Sequence, residues 1–269
     1  MSDFLALHHD GDGPLLLPNP WDAGSARLLE SLGFKALATT SSGFAATLGR
    51  RDYGVSRDEA LGHAATIVQA TSLPVSADLE NGFADDPAGV AETVCLARGI
   101  GLAGCSIEDT TGRDDGPVYC LEHAVARVRA AVEAAHDGEA GFVLTARAEN
   151  HLHGRDDLDD TIARLRAYAE AGADVVYAPG LSSLEDIRAV VDAVDVPVNV
   201  LTFPGAPPVA ELRDAGVRRV SVGGAFAFAA LGAVAEAARE LLDQGTYGFL
   251  ERARTGGRAA HRAFAQPTT

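Results

Sequence analysis

The sequence predicts an α/β protein, a (β/α)8 TIM-type barrel with an extra C-terminal helix. Short β-rich runs alternate with Ala/Leu/Arg-rich stretches of helical period along the chain. Eight such pairs fit into 269 residues without a linker or low-complexity tract before the last few residues. Parallel barrels commonly fill that length as one domain. The junctions also repeat: "AGADVVYAP" and "AGVRRVSVGG" each close a helix with Ala-Gly and then begin a strand.

Taken in order, the strand-like runs are 15–18, 36–40, 75–78, 104–108, 142–147, 175–178, 196–201 and 217–222. Helical patterns lie between them, near 22–33, 57–70, 87–100, 121–136, 158–172, 183–193, 208–215 and 225–243. Residues 1–243 therefore read as the catalytic barrel and 244–269 as a helical extension. Tyr247, Phe249 and Leu250 in that extension pack either on their own barrel or on a neighbouring subunit.

Apolar residues make up 47% of the chain, enough for a full core. No apolar run reaches the roughly 18 residues of a membrane span, and the opening lacks the pattern of a signal peptide, so a cytoplasmic location is expected. The net charge of −16 argues against a nucleic-acid partner. Cys95, Cys105 and Cys120 form no framework and no C-x-x-C pair; the first two read as core filler. Lys35, the only lysine, precedes the second strand, which excludes a Schiff-base lysine in the barrel mouth.

Polar residues at the C-terminal strand ends of such a barrel face the active site. The first strand leads to Trp21 and the second to Ser41, Ser42 and Gly43, with Asp52 beyond. Asp78 and Glu80 follow the third, Glu108 ends the fourth, Arg147 ends the fifth, and Asn199 lies on the seventh. Four acids, Asp52, Asp78, Glu80 and Glu108, thus converge from three successive units. Like charges in a dry mouth repel unless a cation joins them. An all-oxygen set suits Mg2+ or Mn2+, and Mg2+ keeps most of its waters. The expectation is one direct ligand, Asp78, with Glu80, Glu108 and Asp52 holding bound water. Arg147 grips a substrate carboxylate or is a buried counter-ion to Glu108 or Glu149. "TTSSGF" reads as an anion-binding nest or an ordinary turn. "SVGGAF" reads as a phosphate site or, preferably, tight packing. His151 and His153 read as solvated loop residues.

Several segments together resemble the isocitrate lyase/phosphoenolpyruvate mutase superfamily. Residues 15–52 are similar to its opening two units, "SADLENGFADDP" to its D-x-D-x-G metal segment with Glu80 for the second Asp, "GCSIED" to its fourth-strand acid motif, and "LTARAEN" to its fifth-strand arginine. The resemblance implies Mg2+-dependent chemistry on a small 2-oxo or 2-hydroxy carboxylate through a pyruvate-type enolate. It implies Asp78 as principal metal ligand, Asp52, Glu80 and Glu108 as its water shell, and Arg147 as the carboxylate-binding or catalytic arginine. Ser41, Ser42 and Gly43 become the anion-binding loop, and Trp21 and Asn199 further substrate contacts. A homodimer or homotetramer, with exchange of C-terminal helices, is also expected.

The chain departs from the family where the lyases carry K-x-C-G-H. Its loop reads "DTTGRDDGPVYCLEH", with Cys120 outside the motif position and at the start of the next helix. The mutase-type loop is missing too, and Pro179 stands where the lyases place a glutamate after the sixth strand. The leading expectation is a lyase or decarboxylase that cleaves a C–C bond. The alternatives are a phosphonate P–C bond enzyme of the phosphoenolpyruvate mutase, carboxyvinyl-carboxyphosphonate phosphorylmutase or phosphonopyruvate hydrolase type, or a non-catalytic metabolite-binding barrel. Loop 110–119 is expected to close over substrate, with Arg113 or Tyr119 turned inward.

Overall fold

A computed structural model describes residues 4–138 and 141–265. The strands are β1 (Leu15–Leu17), β2 (Leu37–Ala38), β3 (Val75–Asp78), β4 (Gly104–Glu108), β5 (Val143–Arg147), β6 (Val175–Tyr177), β7 (Val198–Leu201) and β8 (Arg219–Ser221). The helices are α1 (Ala23–Ser31), α2 (Ser41–Thr47), α3 (Arg57–Ala70), α4 (Pro87–Gly99), α5 (Leu121–His136), α6 (Leu158–Glu170), α7 (Leu184–Ala193), α8 (Val209–Asp214), α9 (Ala225–Gln244) and α10 (Leu250–Phe264).

All ladders are parallel, in the order β1-β8-β7-β6-β5-β4-β3-β2. The remaining seam is bridged by Ala38 N–H donating to Pro18 O at 3.1 Å. Asn19 pins the same corner: its Nδ2 donates to Thr39 O at 2.8 Å, and its Oδ1 accepts from the N–H groups of Val222 and Gly223 at 3.0 and 2.9 Å. The result is a (β/α)8 barrel with one helix, α2, inserted after β2 where the sequence suggested a loop. Thr40 starts that helix because its hydroxyl accepts from Gly43 N–H, a side-chain cap that a βα turn provides cheaply.

One core lies between the strands and the helix ring, with Ile67, Val94, Leu165, Ile187 and Leu212 fully or almost fully buried. A second core, which includes Phe4, Leu15, Val143 and Val175, fills the barrel floor. Phe4 is wholly buried there, beside Gly104. A Cβ on Gly104 would come within 3.1 Å of the Phe4 ring and 2.5 Å of Val143 O, so only glycine admits the plug. The Ala6–His8 turn follows, with His8 almost fully buried.

After β8 the chain leaves the barrel. In α9 only Ala227 is buried, while Phe226, Phe228, Leu231, Val234, Leu241 and Leu242 are exposed. Gly245, at φ 65°, ends the helix in the left-handed region. α10 then turns back to pack on α1 of the same chain: a Cβ on Gly24 would lie 3.5 Å from the Phe264 ring. The last helix thus packs on its own barrel, but not through the residues expected to do so: Tyr247 and Leu250 are exposed, at 63% and 52%. Among the described residues, no helix is long and apolar enough to cross a membrane. The cysteines are free; Cys105 is buried as expected, but Cys95 is exposed, on the outer face of α4.

Candidate active site

β3 delivers Asp78 to the barrel mouth, where its backbone N–H donates to Thr39 Oγ1 at 3.0 Å. Its carboxylate accepts from Ser41 N–H at 3.2 Å and from Arg147 Nη1 at 3.1 Å. Arg147 is the hub. Its Nη2 lies 3.0 Å from Glu108 and its Nε 2.9 Å from Glu149, so three carboxylates surround one guanidinium. Burial would lower the Arg147 pKa, but Glu108, Glu149 and Asp78 outweigh it and hold the guanidinium charged. The counter-ion role foreseen for Arg147 is therefore present for both Glu108 and Glu149, alongside its place on the cavity wall.

The acids are not comfortable. Burial pushes Glu80 up to about 8, with Asp78 and Asp52 adding to the rise. Burial likewise raises Glu108, Glu149 (to about 7) and Asp52, against the pull of Arg147. Glu80 Oε1 and Glu149 Oε2 are buried with no hydrogen-bond partner. Among the described residues, the non-glycine residues in the left-handed region are Tyr53 (φ 59°), Glu80 (49°) and Phe83 (56°). Each costs roughly 1–2 kcal/mol, and such strain concentrates at functional sites. The twist at Glu80 removes it from simple strand alternation with Asp78. Tyr53 directs its hydroxyl to Glu108 Oε1, donating at 2.7 Å.

A cavity of about 180 Å³ opens at this end of the barrel. Its lining includes Ser41, Ser42, Asp52, Asp78, Arg147 and Asn199 from the sequence expectation. Glu80 lies instead in a small adjoining recess whose wall Asp78 shares. Glu108 sits behind Arg147, 2% exposed.

Other expected residues stand elsewhere. Trp21 and Gly43 line an apolar groove with Ala227, Leu231 and Val234 of α9. Gly43 has no left-handed backbone and belongs to the first turn of α2, so the segment is a capped helix start rather than a glycine nest. Ser41 N–H is already committed to Asp78. Arg113 and Tyr119 face away from the cavity. Both reach Asp85: Arg113 Nη1 at 3.3 Å, and Tyr119 through its hydroxyl. The Arg127 guanidinium lies 4.3 Å from the Tyr119 ring centroid, and Tyr119 is 6% exposed. Loop 110–119 forms a small hairpin, bridged at Thr110 and Val118, with Gly112 and Gly116 left-handed at 68° and 75°. Tyr119 is taken up by packing because its ring completes the core between β4 and α5.

Cys120 does sit immediately before α5. A Cβ on Gly224 would meet Ser42 Oγ and the Phe228 ring at 2.6 Å, which is the tight packing preferred for "SVGGAF". Sequence reading overlooked Tyr53, Tyr177 and Arg219. The last two line the cavity, and the signal was there: in β8, Arg219 and Ser221 alternate with Val220, so the inward face is polar.

The residues fit a divalent cation. The donors are oxygens, one buried carboxylate oxygen beside Asp78 is orphaned, and the acids exceed their cation. Among the described residues, no three His, Cys, Asp or Glu side chains converge into a group that could hold a metal ion, so Asp78 would be the one direct ligand and water would fill the rest of the shell.

A parallel barrel whose cavity, at the C-terminal strand ends, is walled by Asp52, Asp78, Arg147 and Arg219 has the architecture of a barrel enzyme's mouth. The phosphoenolpyruvate phosphomutase family model matches residues 4–242. The chain is 34% identical to 2-methylisocitrate lyase of Escherichia coli K12 over 79% of its length and 78% of that protein's. It is 32% identical to oxaloacetate decarboxylase of Pseudomonas paraeruginosa PA7, over 82% and 78%. It superposes on a lyase/mutase-class protein of Burkholderia cenocepacia J2315 with a TM-score of 0.94 and 54% identity, covering 98% and 95% of the two chains. The chain belongs to the isocitrate lyase/phosphoenolpyruvate mutase superfamily, and its relatives mark it as an enzyme of the carbon–carbon lyase kind.

Proposed function

We propose that the protein is a Mg2+-dependent lyase or decarboxylase that cleaves a C–C bond of a small 2-oxo or 2-hydroxy carboxylate. The observation that carries this reading is the Asp78–Arg147 pair on the cavity wall, backed by acids that burial has left short of positive charge. Mg2+, or Mn2+, would be held by Asp78, with Glu80, Asp52 and Glu108 bonding to its water. When bound, such an ion stabilises the negative charge that builds on a carbonyl oxygen as the adjacent bond breaks.

The chain's own residues supply the rest. Arg147 is locked by three carboxylates, so it meets an incoming carboxylate without reorganising. Ser42, with its hydroxyl 3.3 Å from Thr40 Oγ1, edges the cavity where the enolate oxygen would rest. The bonding pair enters the pyruvate fragment, and a proton must later reach its carbon. Asp52 lines the cavity, and it is the acid placed to hold that proton.

The phosphonate alternative is favoured by the names of the matching family model and of solved relatives. The excess of acids over arginines at the mouth weighs against a highly charged phosphonate. The functional unit is read as a homodimer or homotetramer, with α9 laid across a neighbouring barrel.

The test is a panel of oxaloacetate, 2-methylisocitrate, phosphonopyruvate and phosphoenolpyruvate, assayed for pyruvate, carbon dioxide or phosphate with Mg2+ and with chelator. Pyruvate release from a C–C substrate, lost with chelator and in Asp78→Ala, is expected. Turnover of the phosphonates alone would overturn the reading.

A further inference from the structure

Arg219 has no part in the chemistry described so far, yet it is the second cation on the cavity wall. It begins β8 and points inward, 4% exposed. Its Nε donates to Asn199 Oδ1 at 2.9 Å and its Nη2 to Thr145 Oγ1 at 2.9 Å. Its Nη1 lies 3.4 Å from His8 Nε2. His8 Nδ1 is 2.9 Å from Phe4 O, a pure acceptor, so the proton sits on Nδ1 and Nε2 accepts from Arg219. Burial, reinforced by Arg219, holds His8 down at about 3, which keeps it neutral.

Every partner of Arg219 is thus uncharged. Among the described residues no carboxylate forms an ion pair with it; burial holds the neighbouring Tyr177 neutral, and the charged group that acts on Arg219 is Arg147, which repels it. The contrast with Arg147 and its three carboxylates is sharp. A buried, uncompensated charge is costly, and a fork of five N–H donors anchored at three points still has donors to offer. A purely structural pin between β5, β7 and the floor plug would work as well with a neutral side chain.

We infer that Arg219 is a substrate-binding residue that receives a second carboxylate, deep in the barrel, while the first end of the substrate engages Asp78 and Arg147. The substrate is then a short dicarboxylate lying along the barrel axis. Asn199 and Thr145 aim the guanidinium; they are positioning residues. This deepens the proposed lyase function and rests on it for the identity of the upper end.

The experiment measures binding, not turnover. Titration calorimetry with Mg2+ present compares length-matched probes: succinate against butyrate, and 2-oxoglutarate against 2-oxopentanoate. The wild-type protein should prefer the dianion by about tenfold or more in at least one pair, the worth of one charge-assisted contact. Arg219→Gln should reduce that preference to within about twofold and leave the monoanion's Kd unchanged. Arg219→Lys should keep part of it. Absence of a preference in the wild type, or equal weakening of both members in Arg219→Gln, would overturn the inference. If Arg219→Gln shows no cooperative thermal transition, a crystal of the wild-type protein with succinate and 2-oxoglutarate decides. A carboxylate hydrogen-bonded to Arg219 supports the assignment, and density only at the Asp78 end refutes it. Dianion preference without any C–C cleavage would sink the lyase reading alone; cleavage without the preference would sink the role of Arg219 alone.

Discussion

Asp78 touches most of what matters in the mouth: Ser41, Glu80, Arg147 and the recess behind. Its replacement by Ala is expected to abolish the rise in thermal stability that Mg2+ gives the wild type, because a ligand that binds only the folded state stabilises it. An unchanged shift would place the ion elsewhere. Cys120 is exposed and just ahead of α5, and Cys120→Ser is expected to change turnover by less than about threefold, because a surface side chain is replaced by one of similar size. His8 gives a pH dependence of definite sign. Its folded pKa, lowered by burial and then by Arg219 to about 3, lies below the unfolded value of 6.5. The unfolded chain therefore binds the extra proton, and stability is full above pH 6.5 and falls as pH drops toward 3. The slope approaches about 1.4 kcal/mol per pH unit. Melting curves of wild type and His8→Leu at pH 7.5, 6 and 5 should converge as pH falls; parallel curves would refute the assignment. The charged strand-end residues of this site were legible in the sequence because strand ends are where a barrel exposes side chains. Arg219 was not, because an arginine at the start of a strand reads as surface until the closed barrel turns it inward.

At the scale of elements, the βα alternation fixed the order of strands and helices through periodicity alone, and the register followed from parallel pairing. α2 was missed because its seven residues are too few for a helical period to emerge. The resting contacts of the hairpin after β4 were not legible for a different reason: the partner of Arg113, Asp85, lies 28 residues before it in the chain. Asp85 fastens both Arg113 and Tyr119. Asp85 is largely exposed, so Asp85→Ala should cost no more than about 1 kcal/mol, and should speed proteolysis within 110–118. Unaltered cleavage would mean that the hairpin is held by its own backbone bridge.

For the whole molecule, α9 carries six large apolar side chains in the open, Phe226, Phe228, Leu231, Val234, Leu241 and Leu242. A monomer seldom leaves so long an apolar row uncovered. Light scattering should find a dimer or tetramer, and Leu231→Glu with Val234→Glu should shift it to monomer. A wild-type monomer at micromolar concentration would remove the helix-exchange reading. The two ends of the barrel have different fates. Phe4 stoppers the floor, in the notch that Gly104 leaves for it. The cavity is consequently a blind tube with one door. Whatever enters must back out the way it came, and when one molecule becomes two, the fragment nearer the threshold goes first and the deeper one waits behind it.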